Sequence, residues 1–363
     1  MSASDRAAAL VQPRLLDMQA YQVPDATGMV KLDAMENPYG WPVELRDAWL
    51  EMLGDVSLNR YPDSHSEALD AALRDYLSIP AEYGVLFGNG SDELIQLLCV
   101  ALRAPGRRIG VPEPTFSMYR VCAEPLGFGV VELPVRADDF GPDADALLAK
   151  VRTEQPSLIF IATPNNPTGR LFERDVLREL AGAADGLIVI DEAYQRFAGG
   201  SLMGEFAGAD NVVFMQTLSK IGLAGLRLGA LVGPRPWLAQ LDKVRLPYNI
   251  NSLSERSAVF ALSHQSLIEE QAARIIAERE RVLAAMQAVY GVQVWPSATN
   301  FLMFRLAGAA EDFHRYLIEQ RILIKKLHGA QALLKDCLRV TIGRPDENEL
   351  FLAALRDFQL RPG

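Results

Sequence analysis

Between residues 211 and 229 an apolar run stops abruptly at Thr217, Ser219 and Lys220, and a glycine-rich turn then carries Arg227. Val212 to Met215 is too continuous for a half-exposed strand and fits the interior of a parallel sheet. A lysine at the end of such a strand, between two hydroxyl residues and near a second cation, is costly to place without an anionic partner. A phosphorylated carbonyl compound meets that need, because the amine condenses with the carbonyl while the cation and hydroxyls face the phosphate. For an isolated lysine the ordinary reading is a solvated loop position, but two other strands change the balance.

Residues 186–194, Gly-Leu-Ile-Val-Ile-Asp-Glu-Ala-Tyr, form an apolar run that ends at Asp191 and Tyr194. Residues 157–169 form another and end in a Pro/Asn/Gly turn that holds Asn166. Three runs with polar residues at their carboxyl ends place Asn166, Asp191, Tyr194 and Lys220 along one edge of a parallel sheet, where open α/β folds bind ligands. The set suits pyridoxal 5′-phosphate (PLP). An aspartate beside the pyridine nitrogen keeps it protonated, so the ring accepts the electrons released when a substrate Cα–H bond breaks. Asn and Tyr side chains bond the ring oxygen, and the lysine moves protons.

The positioning elements follow from period and punctuation. Residues 85–93 read as a strand, a glycine turn and the start of a helix, with Ser91 as its expected N-cap and Asp92 in its first turn. The N–H groups of that helix end form an anion site, and with Thr217, Ser219 and Arg227 they complete a phosphate cup. Glu93 stands where a dinucleotide fingerprint needs its third glycine. Residues 111–119 make a turn rich in aromatics. Segments 143–151 and 173–184 are amphipathic crossover helices, and a helix capped by Ser64 or Ser66 buries Leu69, Leu73 and Tyr76. A break at 247–252 leads into a long helical stretch, roughly 254–290, where the large domain ends. The remainder alternates strands and helices, and Arg339 in its Leu-Arg-Val-Thr-Ile strand reads either as an edge-strand surface residue or as an anion ligand.

In this order and spacing, Pro-Asn-Asn-Pro-Thr-Gly at 164–169, Asp-Glu-Ala-Tyr at 191–194 and Thr-Leu-Ser-Lys through Leu-Arg-Leu-Gly at 217–229 resemble the class I/II aminotransferases of fold type I. Within them, the closest likeness is to the histidinol-phosphate aminotransferases. The resemblance implies an α/β fold with a large domain built on a mostly parallel sheet flanked by helices, plus a smaller α+β domain. It divides the chain into an N-terminal arm with part of the small domain (1–44), a PLP-binding domain (45–250) and a C-terminal domain (251–363). It also implies a homodimer with shared sites, in which Tyr61 reaches the neighbouring subunit's phosphate; as a bare sequence feature, Tyr61 before Pro62 reads equally as a packing residue. Phe116 is implied to stack on the ring, with Tyr119 as the alternative. Tyr21, Asn37, Arg339 and Lys325 are implied to meet the substrates, histidinol phosphate and glutamate or 2-oxoglutarate. The chain departs from the family in three places: Met35 stands for the usual Asn, Lys325 for an arginine, and Lys220 to Arg227 is one residue tighter. The competing readings are a threonine-phosphate decarboxylase-like PLP lyase, an aromatic or other amino-acid transaminase, and a non-catalytic PLP-binding regulator.

With 363 residues the chain is long enough for about two domains. Its net charge of −10, with basic residues scattered, argues against nucleic-acid binding. Cys99, Cys122 and Cys337 form no CxxC pair and suggest a reducing, cytoplasmic compartment. The four histidines share no metal spacing, and no apolar run approaches a membrane span.

Overall fold

The computed structural model describes residues 1–16, 18–20 and 22–360. The expected substrate contact Tyr21 lies outside the described residues. The strands are β1 (Val30–Leu32), β2 (Tyr83–Gly88), β3 (Arg108–Pro112), β4 (Gly129–Leu133), β5 (Leu158–Ala162), β6 (Leu187–Asp191), β7 (Val212–Thr217), β8 (Gly229–Pro234), β9 (Val292–Val294), β10 (Phe301–Leu306), β11 (Ile322–Lys326) and β12 (Cys337–Thr341).

Seven of them form one sheet in the order β2-β8-β7-β6-β5-β3-β4. Every pairing from β7 to β4 is parallel, and β8 runs antiparallel to both β2 and β7. Every residue of β5 and β6 is buried, as a parallel sheet covered on both faces requires. Alternate residues face different cores. Ile159, Ile161, Ile188 and Ile190 join one cluster, while Leu158, Phe160, Leu187 and Val189 join the cluster on the opposite face.

The crossover helices form at Ala144–Glu154 and Arg174–Ala183. Asp143 caps the first through its carboxylate, which accepts from the Ala146 N–H at 3.3 Å. Leu147, Leu148 and Val151 on that helix, and Leu177 and Leu180 on the second, dock on the sheet. The helix after Ser66 runs from Glu67 to Leu77 and buries the expected Leu69, Leu73 and Tyr76.

The smaller sheet has the order β1-β11-β12-β10-β9, with β1 parallel to β11 and the rest antiparallel. Residues 30–32 thus join the C-terminal unit, although the 289 residues 33–321 separate them from β11. The helices Ala3–Leu10 and Pro13–Leu16 of the arm bury none of their residues.

The large domain ends later than the expected 250/251 division. The stretch 254–290 is two helices, Ser252–Leu262 and Gln265–Gln287. Ala258, Ala261, Leu262 and Ile268 belong to the large domain's core, whereas Ala272, Ile275 and Val282 belong to the core of the smaller sheet. The changeover therefore lies inside Gln265–Gln287, whose apolar stripe serves both cores and so shows no break in sequence.

Strand β8 begins directly beneath the turn that starts the helix Gly90–Ala101. A Cβ at Gly229 would lie 2.9 Å from the carbonyl carbon of Gly90, 2.9 Å from the Ser91 nitrogen and 3.0 Å from the Gln216 oxygen, all backbone atoms. Gly229→Ala should cost about 1–3 kcal/mol, read as a lower midpoint in denaturant unfolding. An unchanged midpoint would mean that this approach is not tight.

Candidate active site

The carboxyl ends of β5, β6 and β7 open into a cavity of about 210 Å³. Asn166, Asp191, Tyr194, Lys220, Thr217 and Ser219 all line it, as do Ser91, Asp92, Phe116 and Arg227 from neighbouring turns. The residues expected at one sheet edge are therefore brought together. The opposite wall is Ala34, Met35 and Glu36, a segment that follows β1 of the smaller sheet.

Asp191 is buried, and burial pushes its carboxyl up to about 6, against the pull of its hydrogen bonds. The Tyr119 hydroxyl donates to Oδ2 at 2.6 Å and the Ala193 N–H to Oδ1 at 3.0 Å. Tyr119 is fully buried and stacks on Phe160, with centroids 4.6 Å apart. It is a support for the aspartate rather than the alternative ring-stacking residue. Phe116 meets Tyr119 edge-on at 5.6 Å and itself lines the cavity. The Tyr119 to Asp191 bond leaves no local trace in sequence, because the partners are 72 positions apart, one on the helix Met118–Ala123 and the other at the end of β6.

Lys220 donates to the Ala34 carbonyl at 3.3 Å, and its ammonium lies 5.9 Å from the centre of the Tyr194 ring. Burial, and next the charge of Arg339, lower its pKa from 10.5 to about 8. Burial likewise raises the Tyr194 phenol. Arg339 is buried rather than an edge-strand surface residue. It donates to Asn166 Oδ1 and, at 2.8 Å, to the Asp33 carbonyl. Lys325 sits directly across the β11–β12 ladder from it, which puts both side chains on one face of the sheet.

The residues expected to form the phosphate cup also meet at the cavity. The Thr217 hydroxyl donates to Ser219 Oγ at 3.0 Å and accepts from the Ser219 N–H at 3.2 Å. Arg227 approaches Ser219 Oγ and Asp92 Oδ2, each at 3.5 Å. The tight turn after Lys220 is closed by Arg227 itself in the left-handed region, at φ 50°, and still brings the guanidinium to the cup. Ser91 is not the N-cap. That position belongs to Asn89, whose N–H is taken by the Glu93 carboxylate at 2.6 Å, and Ser91 stands in the first turn at the cavity wall. Helix N–H groups, two hydroxyls and a guanidinium converging on one spot fit a phosphate. An amine with lowered basicity and a buried carboxylate fit the aldehyde and ring nitrogen of the same molecule.

Two expected residues lie elsewhere. Asn37 donates to Gln271 at 2.9 Å and accepts from the Tyr39 N–H at 2.9 Å, so it holds its own turn. Tyr61 is 81% exposed, stacks on Tyr248 at 4.7 Å and is not in the cavity wall of its own chain. Among the described residues, no cluster of three His, Cys, Asp or Glu groups could hold a metal ion, and no helix is long and apolar enough to cross a membrane.

Residues 27–355 match the family model for aminotransferase class I and II. The chain belongs to that family. Histidinol-phosphate aminotransferase 2 of Nitrosococcus oceani is 48% identical over 353 residues, covering 97% of this chain and 98% of that one. The histidinol-phosphate aminotransferase of Sinorhizobium meliloti, solved in complex with pyridoxal-5′-phosphate, superposes with a TM-score of 0.85 at 24% identity over 97% and 98% of the two chains. L-threonine-O-3-phosphate decarboxylase of Porphyromonas gingivalis has a TM-score of 0.79 at 24% identity over 92% and 100%. One fold serves both chemistries, so the fold alone does not choose between them.

For this aminotransferase the neutral Lys220 amine is the reactive form, and its share grows as pH rises. Trapping of Lys220 by a small aldehyde with cyanoborohydride, followed by mass spectrometry, should be half-maximal near pH 8, against 10.5 for an ordinary lysine. Arg339→Met removes a nearby positive charge and should move that midpoint upward. A midpoint unmoved by the substitution would separate the two groups electrostatically.

Proposed function

We propose that this aminotransferase uses pyridoxal 5′-phosphate to move an amino group between L-histidinol phosphate and 2-oxoglutarate, giving imidazole acetol phosphate and glutamate in histidine biosynthesis. The observation that carries the reading is a buried Arg339 bonded to Asn166 of the cavity wall, in a chain 48% identical along almost its whole length to a histidinol-phosphate aminotransferase. Both partners of the exchange are anions, and one guanidinium binds the phosphate of the first and a carboxylate of the second in the same bidentate manner.

Ser91, Asp92, Thr217, Ser219 and Arg227 surround the position for the cofactor phosphate, and Asp191 stands for its ring nitrogen. Asn166 and Tyr194 serve the ring oxygen, and Phe116 packs on the ring face. When bound, the cofactor supplies an aldehyde to receive the amino group and a ring that accepts the electrons of the broken Cα–H bond. Lys220, made less basic by burial and by Arg339, takes the proton from the substrate Cα and returns it. Lys325 adds a second cation beside Arg339 for the substrate phosphate.

The working unit is a cytoplasmic homodimer in which Tyr61 serves the neighbouring site. Its exposure, its stacking on Tyr248 and its absence from its own cavity wall support that reading. Heterodimers of Tyr61→Phe and Lys220→Ala subunits should then regain activity, since one of the two sites keeps both residues. Verified heterodimers without activity would count against sharing.

Purified enzyme with histidinol phosphate should turn over only when 2-oxoglutarate is supplied, forming glutamate in equal amount. Release of carbon dioxide from threonine phosphate, with no glutamate formed from histidinol phosphate, would replace transamination by decarboxylation.

A further inference from the structure

The wall opposite the strand ends is a short length of backbone that meets the reactive groups in order. Arg339 donates to the carbonyl of Asp33 at 2.8 Å and Lys220 to the carbonyl of Ala34 at 3.3 Å. Two residues further on, Glu36 brings a carboxylate to the same cavity. Along residues 33–36 the wall therefore presents an anion-binding cation, then the amine, then an acid.

The position of Glu36 is fixed from both sides. Met35, just before it, is held in the left-handed region at φ 54°, a conformation that costs a methionine free energy and persists only where surroundings impose it. Those surroundings are two hydrogen bonds from the smaller sheet, the Thr341 hydroxyl with the Met35 N–H and the Asn300 amide to the Met35 carbonyl, each 2.9 Å. Lys31 then grips Glu36 Oε2 at 2.6 Å while also pairing with Asp33 at 3.2 Å. Glu36 Oε1 makes no hydrogen bond to the described residues, and the side chain is half-exposed at the cavity.

The proposed amino donor carries its groups in the same order. In L-histidinol phosphate the amine-bearing carbon lies between a phosphate arm and an imidazole arm. With the phosphate at Arg339 and the amine at Lys220, the ring falls toward Glu36. Of the cavity's other carboxylates, Asp191 is bonded through both oxygens to the Tyr119 hydroxyl and the Ala193 N–H, and Asp92 faces Arg227 at 3.5 Å in the phosphate cup of the cofactor, so neither is placed to meet the ring. We infer that Glu36 selects the ring of the amino donor, its Oε1 accepting the imidazole N–H. This inference rests on histidinol phosphate being the donor. A ring nitrogen with an ordinary value near 6.5 is partly cationic at neutral pH, which makes the bond charge-assisted. A site built to accept an N–H also rejects a ring of similar shape that lacks one.

The test compares two donors on the holoenzyme with 2-oxoglutarate: histidinol phosphate, and phenylalaninol phosphate, which keeps the phosphate and the amine but has no ring N–H. Glu36→Leu should lower kcat/KM for histidinol phosphate by about 10–100-fold, chiefly through KM, and bring the two donors to within about threefold of each other. Glu36→Gln, which keeps an acceptor but not the charge, should fall between. In a Lys220→Ala background, where the donor binds without turning over, Glu36→Leu should weaken the histidinol phosphate Kd by a similar factor. Equal losses for both donors, or an unchanged KM and Kd for histidinol phosphate, would overturn the assignment. Wild-type enzyme that transaminates other donors but not histidinol phosphate would remove the donor reading itself, and the role of Glu36 with it.

Discussion

An amine and a carboxylate share one partly dry cavity, and each is costly to charge there. Burial lowers Lys220 to about 8 and raises Asp191 to about 6, so the same desolvation pushes the two groups toward neutrality from opposite ends. What keeps the aspartate available as an anion is a pair of donors, the Tyr119 hydroxyl and the Ala193 N–H. What keeps the lysine from being locked as an ammonium is burial and the Arg339 charge, with no carboxylate in hydrogen-bond contact with it among the described residues. Its hydrogen bond is to a single backbone carbonyl at 3.3 Å, which leaves the nitrogen able to exchange partners. Both requirements are met only if the surrounding chain excludes water while leaving room for a planar ring.

The sheet supplies that geometry. Parallel strands β5, β6 and β7 end at the same edge, so Asn166, Asp191 and Lys220 emerge side by side without any long-range search. The antiparallel β8 returns the chain under the first turn of Gly90–Ala101, and its Gly229 lets the two backbones touch. That contact joins the phosphate cup to the lysine strand. Glu192, buried next to Asp191, adds a second tie. It accepts from Ser201 at 2.7 Å, from the Leu202 N–H at 2.6 Å and from Gln216 at 2.5 Å. Gln216 immediately precedes Thr217, so the ends of β6 and β7 are fastened to each other just below the site.

The sequence made the strand ends legible because the signal there is local. An unbroken apolar run followed by Asp191 or by Thr217, Ser219 and Lys220 specifies both a buried strand and its exit. The partners across the fold left no such trace. Tyr119 is the alternative ring-stacking residue by resemblance, and only the fold brings its hydroxyl, on the helix Met118–Ala123, against Asp191. Asn37 and Glu36 are adjacent, and nothing in their types says that the first turns to Gln271 while the second faces the cavity. Burial periodicity also hid the domain junction. The helix Gln265–Gln287 changes cores between Ile268 and Ala272 without interrupting its apolar stripe. The buried polar Gln271, Glu278 and Arg279 on that helix connect it to the rest, through Asn37, Asn348 and the Thr299 carbonyl.

The site belongs to neither domain alone. Asp33 and Ala34, whose carbonyls receive Arg339 and Lys220, follow directly from β1 and so are tied to the smaller sheet, as is Arg339 on β12. Lys220, Asp191 and Asn166 belong to the larger one. The Arg339 charge is among the causes that hold the lysine at about 8, so the placement of the small domain sets the basicity of an amine on the large one. An anion bound at Arg339 offsets that charge, and the lysine then becomes a stronger base. In the proposed function, arrival of the anionic end of a substrate at Arg339 would thus prepare Lys220 to take the proton. One guanidinium in that proposed function both receives the substrate anion and lowers the basicity of the lysine, and the adjacent carbonyls of Asp33 and Ala34 hold the two cations side by side between the two cores.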